Sequence, residues 1–290
     1  MKLGKVKSVL ISFSLCALVL LISIGVNVQT VKAQSMPYYD LRPSPIVVRS
    51  EFSTDYSKSS QDRKTNISLA CKSLNNVFVD VGGEFSFNKT VGPRTESRGY
   101  KNAKIIVKGE FVDGVGGGVC QVSTTLYNAL LLAGLKIIEY HPHSLPVSYI
   151  EPSFDAMVNS GSADLRFIND THNPVIIKST ANGNQVKFVI MGEKLKTTIT
   201  RQSAVTDYLP VLEPLINIDN DKQYPDLYVG EKRIISYGKQ GYKSTGKIIK
   251  SVNGKIISQK IIRKDSYAST RGVVVIGTAE RQENQLNLGK

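Results

Sequence analysis

Cysteine, histidine and tryptophan are scarce in this chain of 290 residues, which holds three cysteines, three histidines and no tryptophan. So few thiols cannot staple a chain of this length, so its stability must come from buried apolar cores, of which it can build two. Low-complexity segments are missing, and 41% hydrophobic against 21% charged residues fits folded domains and excludes a disordered chain. Acidic side chains are short in supply, 24 against 37 basic, for a net charge of +13. Without Lys2, Lys5, Lys7 and Lys32 the balance is still 33 to 24, near +9, which suits an anionic partner. No aromatic-basic recognition motif accompanies that charge, so nucleic acid is not expected as the partner.

What is present begins with a leader. The basic "MKLGKVK" precedes the apolar run "SVLISFSLCALVLLISIGVNV", and small Val31 and Ala33 stand before Gln34. This pattern predicts an export signal over 1–33, with a retained membrane anchor as the alternative because the run approaches the ~20 residues that span a bilayer. In either case the body is expected outside the cell, secreted or on the outer side of the envelope. Export also permits a Cys71–Cys120 disulfide, the two cysteines beyond the leader.

Past a linker over 34–50, "DRKTNISLACKSLNNVF" spaces Ile67, Ala70, Leu74 and Val77 as an amphipathic helix. A second helix follows Cys120, with Val122, Leu126, Ala129, Leu130 and Ala133 in one stripe that stops at Gly134. "KIIVKGEFVDGV" reads as a hairpin turning at Gly109, and Asn182-Gly183 marks another. These elements make an α+β core domain over 51–192, with two main helices and antiparallel strands. The prolines at 210, 214 and 225 mark 193–225 as a connecting segment. Beyond it, 226–280 alternates like a small, elongated all-β module, a start near 204 being the other reading, and 281–290 is a tail. Asn253-Gly254 is its strongest hairpin signal.

The densest stretch is "DGVGGGVCQVSTTLYNALLLAGL", residues 113–135. Gly116, Gly117 and Gly118 run into a helix start that carries Cys120. Backbone N–H groups and the helix dipole favour a thiolate at such a place, and could hold an oxyanion. No Gly-Lys-Ser/Thr follows, so a phosphate-binding loop is excluded. A thiol nucleophile needs a base and an orienting group. His141 and His143 lie two apart in a segment expected to be extended, hence on one face, and Asp155 and Asp164 follow. Cys120, His141, His143 and Asp155 are therefore the catalytic candidates, rimmed by Gly116, Gly117, Gly118, Gln121, Ser123, Thr124 and Arg94 as substrate-binding candidates. No cofactor is expected; zinc held by the same histidines with Asp155 is the alternative. A third reading leaves all of them as packing beneath a glycine turn.

Four ordered blocks, "GEFSFNKTVGPRTESRGY", "GVGGGVCQVSTTLYNALLLAGL", "EYHPHSLPVSYI" and "DLRFIND" with "NPVIIK", resemble the VanW family over residues 51–192. That family takes its name from an accessory protein of glycopeptide-resistance clusters. The strands interrupted by Gly230, Gly238, Gly241, Gly254 and Gly277 resemble the five-glycine surface module of Gram-positive envelope proteins. Together the resemblances imply an exported envelope protein whose partner is peptidoglycan or another anionic wall polymer, with the membrane met only through an uncleaved leader. Two classes remain: a cysteine-dependent hydrolase or acyl-transferase on cell-wall peptides, and a non-catalytic wall-binding accessory protein.

Overall fold

A computed structural model describes residues 45–107 and 109–281. The leader over 1–33, most of the linker and nearly all of the tail lie outside the described residues. Among the described residues no helix is long and apolar enough to cross a membrane.

The α+β domain opens with β1 (Val47–Asp55) and α1 (Gln61–Ser73). The Ser60 side chain caps α1 by accepting from the amide of Arg63, and Leu74 closes it with 0% exposure. Val77, expected to extend that helix's stripe, instead starts β2 (Val77–Val79), after Asn76 takes a positive φ of 60° that ends the helical run. β3 (Glu84–Ser86) passes directly into a short helix, α2 (Phe87–Val91), which adds to the two main helices expected. β4 (Asn102–Val107) and β5 (Glu110–Val115) form the hairpin expected at Gly109. Then come α3 (Val119–Leu132), β6 (Lys136–Glu139), β7 (Arg166–Ile168), β8 (Val175–Ala181) and β9 (Gln185–Gly192). The main sheet runs β1-β9-β8-β2, all antiparallel, and a smaller one runs β3-β7-β6.

Helix α3 is the centre of the domain. From Val119 to Leu130 every residue is buried except Cys120, which is half-buried. A helix buried on all sides must satisfy its polar side chains internally, and this one carries several. It packs against β1 and β9 on the sheet and against α1 on its flank.

The second part is all strand. β10 (Thr198–Leu209) and β11 (Leu212–Ile218) come first, so the stretch 193–225 expected as a connection is mostly paired backbone. Pro210 falls between the two strands, where no ladder hydrogen bond is lost. β12 (Lys232–Ser236), β13 (Gly241–Val252), β14 (Lys255–Tyr267) and β15 (Arg271–Ile276) complete it. One sheet is β10-β13-β14 and the other β11-β15-β12, in which β11 and β15 run parallel. β13 and β14 turn at Asn253-Gly254, both with positive φ (48° and 77°), as a two-residue hairpin of this twist requires.

Candidate active site

The glycine run builds the entry to α3. Gly118 is its N-cap at φ 108°, with Arg63 and Ile67 pressed against it, and a side chain there would be strained and crowded. At Gly117 a Cβ would stand 2.7 Å from the backbone of Ala103. The turn thus lets β4 and α1 close on the start of α3, and the second residue of that helix is Cys120.

The neighbouring chain is held there by the polar face of α3. Segment 140–165 forms no strand, and its backbone bonds instead to buried helix side chains. The Ser123 hydroxyl donates to the Ala156 carbonyl (2.6 Å), and the Ala156 amide donates to Thr124 Oγ1 (2.9 Å). Asn128 Nδ2 donates to the Phe154 carbonyl (2.8 Å). Ser123 and Thr124, expected at the substrate rim, are therefore fully buried supports that fix the position of Asp155.

Asp155 meets His143. One carboxylate oxygen, Oδ2, accepts from both the His143 amide (2.6 Å) and His143 Nδ1 (2.7 Å). Nδ1 therefore carries a proton, and the imidazole lies near enough to Cys120 to favour its anion by hydrogen bonding and by charge. The Cys120 sulfur also stands 3.3 Å from the Val158 carbonyl oxygen, the acceptor its proton takes when the thiol is neutral. The set is a thiol, an imidazole and an ionised carboxylate in the order a cysteine nucleophile needs.

The charges agree with that order. Burial pushes the Cys120 thiol up, but His143, by hydrogen bonding and by charge, and Arg94, by charge, act against it, and the net direction is down. Burial pulls His143 down, yet its bonds to Asp155 and Cys120 raise it to about 9. For Asp155, burial pushes up, and His143, Arg263 and Tyr267 bring it down to about 2. The shifts of both partners act in the direction of a thiolate–imidazolium pair beside a permanent carboxylate. Cys71, by contrast, is a buried thiol pushed up by desolvation. Both cysteines are free, so the expected Cys71–Cys120 bridge is not formed in this structure.

A cavity of about 1650 Å³ opens over Cys120, lined by His143, Arg63, Arg94 and Tyr149 among others. Of the expected rim, Arg94, Gly116, Gly118 and Gln121 line it, while Gly117, Ser123 and Thr124 do not. Gln121 is nonetheless committed, donating to Thr54 and the Asp55 carbonyl and accepting from Arg63 Nη2 (3.0 Å). His141 turns away from the site and its Nε2 pairs with Glu139 (3.0 Å). The shared face expected for the two histidines does not form, because β6 ends at Glu139 and Pro142 separates them outside any ladder. Asp164, the other carboxylate considered, caps α2 through Ser86 and the Asn88 amide. The expected zinc ligands are accordingly not gathered, and no group of three or more metal-binding side chains occurs among the described residues.

Sequence reasoning missed two residues that touch Asp155. Its second oxygen, Oδ1, accepts from Tyr267 Oη (2.6 Å) and Arg263 Nη2 (3.2 Å), both on β14 of the all-β part. Arg263, Asp265 and Tyr267 alternate along "RKDSY" on one face of the strand, a pattern visible in the sequence without its partner.

Known families match both parts. The model described as VanW like protein matches residues 62–191, and the G5 domain model matches residues 217–279. The chain carries a VanW-like domain followed by a G5 domain. It is 44% identical over 136 residues to the uncharacterized protein YoaR of Bacillus subtilis, covering 47% of this chain and 45% of that one. It is 29% identical over 150 residues to the vancomycin B-type resistance protein VanW of Enterococcus faecalis, covering 49% and 54%. The chain thus spans about half the length of the curated relatives it matches. Two solved G5 domains also match: that of HP0197 (20% identity, 29% of this chain and 100% of that one, TM-score 0.16) and that of IgA1 protease (25%, 30% and 96%, TM-score 0.18). At those TM-scores the G5 assignment stands on the sequence model alone. The pairing of VanW-like and G5 domains suggests a cell-wall-associated protein.

Proposed function

We propose that the VanW-like domain is a cysteine enzyme, a hydrolase or acyl-transferase, that acts on peptides of the exported cell wall. The observation that carries this reading is the coincidence of two facts about Cys120. It is the one residue of α3 between Val119 and Leu130 that is not fully buried, and it is the one the His143–Asp155 pair addresses. A structural thiol has no use for a buried imidazole oriented by a carboxylate.

In the proposed step the Cys120 thiolate attacks an amide carbonyl carbon. His143 gives its proton to the departing amine, leaving an acyl-enzyme thioester. Water or a second amine then attacks the thioester with His143 as base, which releases the acyl group and restores the thiol. The amides of Val119 and Gln121 already bond the Gly116 and Gly118 carbonyls. The N–H of Cys120 is the first-turn amide nearest the attacking atom to receive the developing oxyanion.

The cavity lining indicates the substrate class. Among the described residues Lys58, Arg63, Arg94, Lys104 and Lys239 line it with Asp55 as the single acidic side chain, which favours a carboxylate-bearing peptide. The G5 domain in this reading keeps the enzyme on wall glycan.

The test uses purified protein incubated with wall fragments and read by mass spectrometry. New or shortened peptides that disappear with Cys120→Ser support the enzyme. Co-sedimentation with unchanged fragments, equal for wild type and Cys120→Ser, would replace it with a non-catalytic wall binder.

A further inference from the structure

The Asp155 carboxylate has two oxygens, and the two domains divide them. His143 takes Oδ2 with its amide and its ring, while Tyr267 and Arg263 take Oδ1. We propose that Arg263 and Tyr267 of the G5 domain are positioning residues of the Cys120 site, holding the Asp155 carboxylate in the orientation that directs His143 at the thiol. This rests on the proposed cysteine chemistry and deepens it, because the module becomes a part of the active site.

The bonding directions are determined. Tyr267 Oη accepts from the Ser153 amide (2.8 Å), so its own proton is free to go to Asp155 Oδ1. Arg263 is fully buried and uses three of its nitrogens: Nε on Asp265 (2.9 Å), Nη2 on Asp155 Oδ1 and Nη1 on the Asp155 carbonyl. Its guanidinium carbon stands 4.8 Å from the centre of the Tyr140 ring and 5.6 Å from that of Tyr127, a cation–π contact with each. The Tyr267 ring packs on Tyr242 at 5.2 Å.

The backbone leading to Asp155 is also held from the module. Ser153 sits at φ 62°, a conformation a non-glycine residue keeps only when its surroundings impose it. Its hydroxyl pairs with Ser244 (2.7 Å), and Gly246 approaches so closely that a Cβ would stand 2.8 Å from the Ser153 carbonyl oxygen. The Ala268 amide also donates to the Ser144 carbonyl (2.9 Å), one residue from His143. Both triad segments are thus fastened to β13 and β14 or the turn after them.

Charge and positioning make opposite demands, which gives the test its sign. As a bare cation, Arg263 opposes protonation of His143, so deleting only its charge would strengthen the imidazolium. A positioning role predicts the reverse. The neutral change Tyr267→Phe isolates the effect. Around the pair, the ionisable groups are His143, Arg263, Tyr267 and Asp265 at or beside Asp155, Tyr127, Tyr140 and Tyr242 behind them, and Arg94 and Tyr149 at the thiol.

The experiment is iodoacetamide alkylation of Cys120 in the full-length protein, followed by peptide mass spectrometry from pH 5 to pH 10. Wild type should show a reactive plateau at low pH. Tyr267→Phe should lower that plateau about tenfold, the worth of a hydrogen bond to a charged group, and leave the rate at pH 10 unchanged. Arg263→Lys should lower it as well, since the donors of a single ammonium cannot reach the three acceptors that the guanidinium fork spans. A purely structural contact would lower the melting temperature without moving the pH profile. If wild type shows the plateau and Tyr267→Phe retains it, the positioning role is wrong while the cysteine enzyme stands. A wild type lacking the plateau overturns both. Should Tyr267→Phe not fold, Ser244→Ala, which removes only the bond to Ser153, should lower the plateau about threefold, and an unchanged plateau there would equally overturn the proposal.

Discussion

The VanW-like and G5 domains solve the same problem of burial in opposite ways. The first wraps sheets and helices around α3 and hides large side chains such as Leu126, Leu130, Phe167 and Phe188 completely. The second spreads its residues in narrow sheets whose strands stay mostly exposed, β11 along its whole length. Its apolar cluster is small, and Phe154 of the first domain joins Ile199 and Ile248 in forming it. A thin β module buries too little apolar surface to be rigid by itself and gains order from the partner it leans on. Here that partner is the loop bearing Asp155, so in the proposed enzyme the thin module would also support the chemistry.

The sharpest way to break the comparison is Asp155→Ala. It leaves buried Arg263 with Asp265 as its remaining carboxylate and Tyr267 without an acceptor. Unfolding in urea should show a loss of about 4 kcal/mol, with Cys120 reactivity falling to that of an ordinary thiol. If only reactivity falls, the two domains do not depend on each other through this residue.

Ile248→Ala empties the shared cluster without touching the triad. It should lower stability by about 2–3 kcal/mol and disturb both domains in one transition, read by calorimetry. A loss confined to a separate low-temperature transition would mean that the G5 domain unfolds alone.

Acid sharpens the same point. Asp155 is depressed from 3.8 to about 2, so its contribution is complete above pH 4 and disappears as pH falls through about 2. That loss amounts to about 2 kcal/mol and should be absent in Asp155→Asn. His143 is raised from 6.5 to about 9, so its contribution is present below pH 6.5 and lost as pH rises through 9. Stability measured across both ranges should therefore fall at each end.

The smallest effect is expected far from the junction. Asn253→Ala keeps the β13–β14 hairpin but places alanine at φ 48°, for a loss of about 1 kcal/mol with Cys120 reactivity unchanged. A change in reactivity would show that strain at the hairpin tip is transmitted along β14.

Much of this molecule is legible in its residues. The stripe from Val122 to Ala133 and the glycines before it specify a buried helix with a cysteine in its first turn, because helical periodicity and positive φ are local properties. The hairpins at Gly109, Asn182-Gly183 and Asn253-Gly254 are local in the same sense. Choosing between His141 and His143 is not local. Alternation applies to a strand, and these residues lie beyond the end of one, where the path is dictated by Ser123, Thr124 and Asn128 of α3. The roles of Ser123 and Thr124 were unreadable for the same reason, since a hydroxyl that lines a site and one that supports it have the same letter.

By itself, then, the sequence determined the two main helices, the hairpins, the two family resemblances and the thiol at a helix start, but not α2 or the strands β10 and β11. Only the tertiary structure decided that Asp155 and not Asp164 orients the histidine. It also decided that residues more than a hundred positions later, Arg263 and Tyr267, hold that carboxylate. The physical reason is that a buried carboxylate must have its oxygens satisfied, and which donors reach it depends on packing between parts of the chain that no periodicity relates.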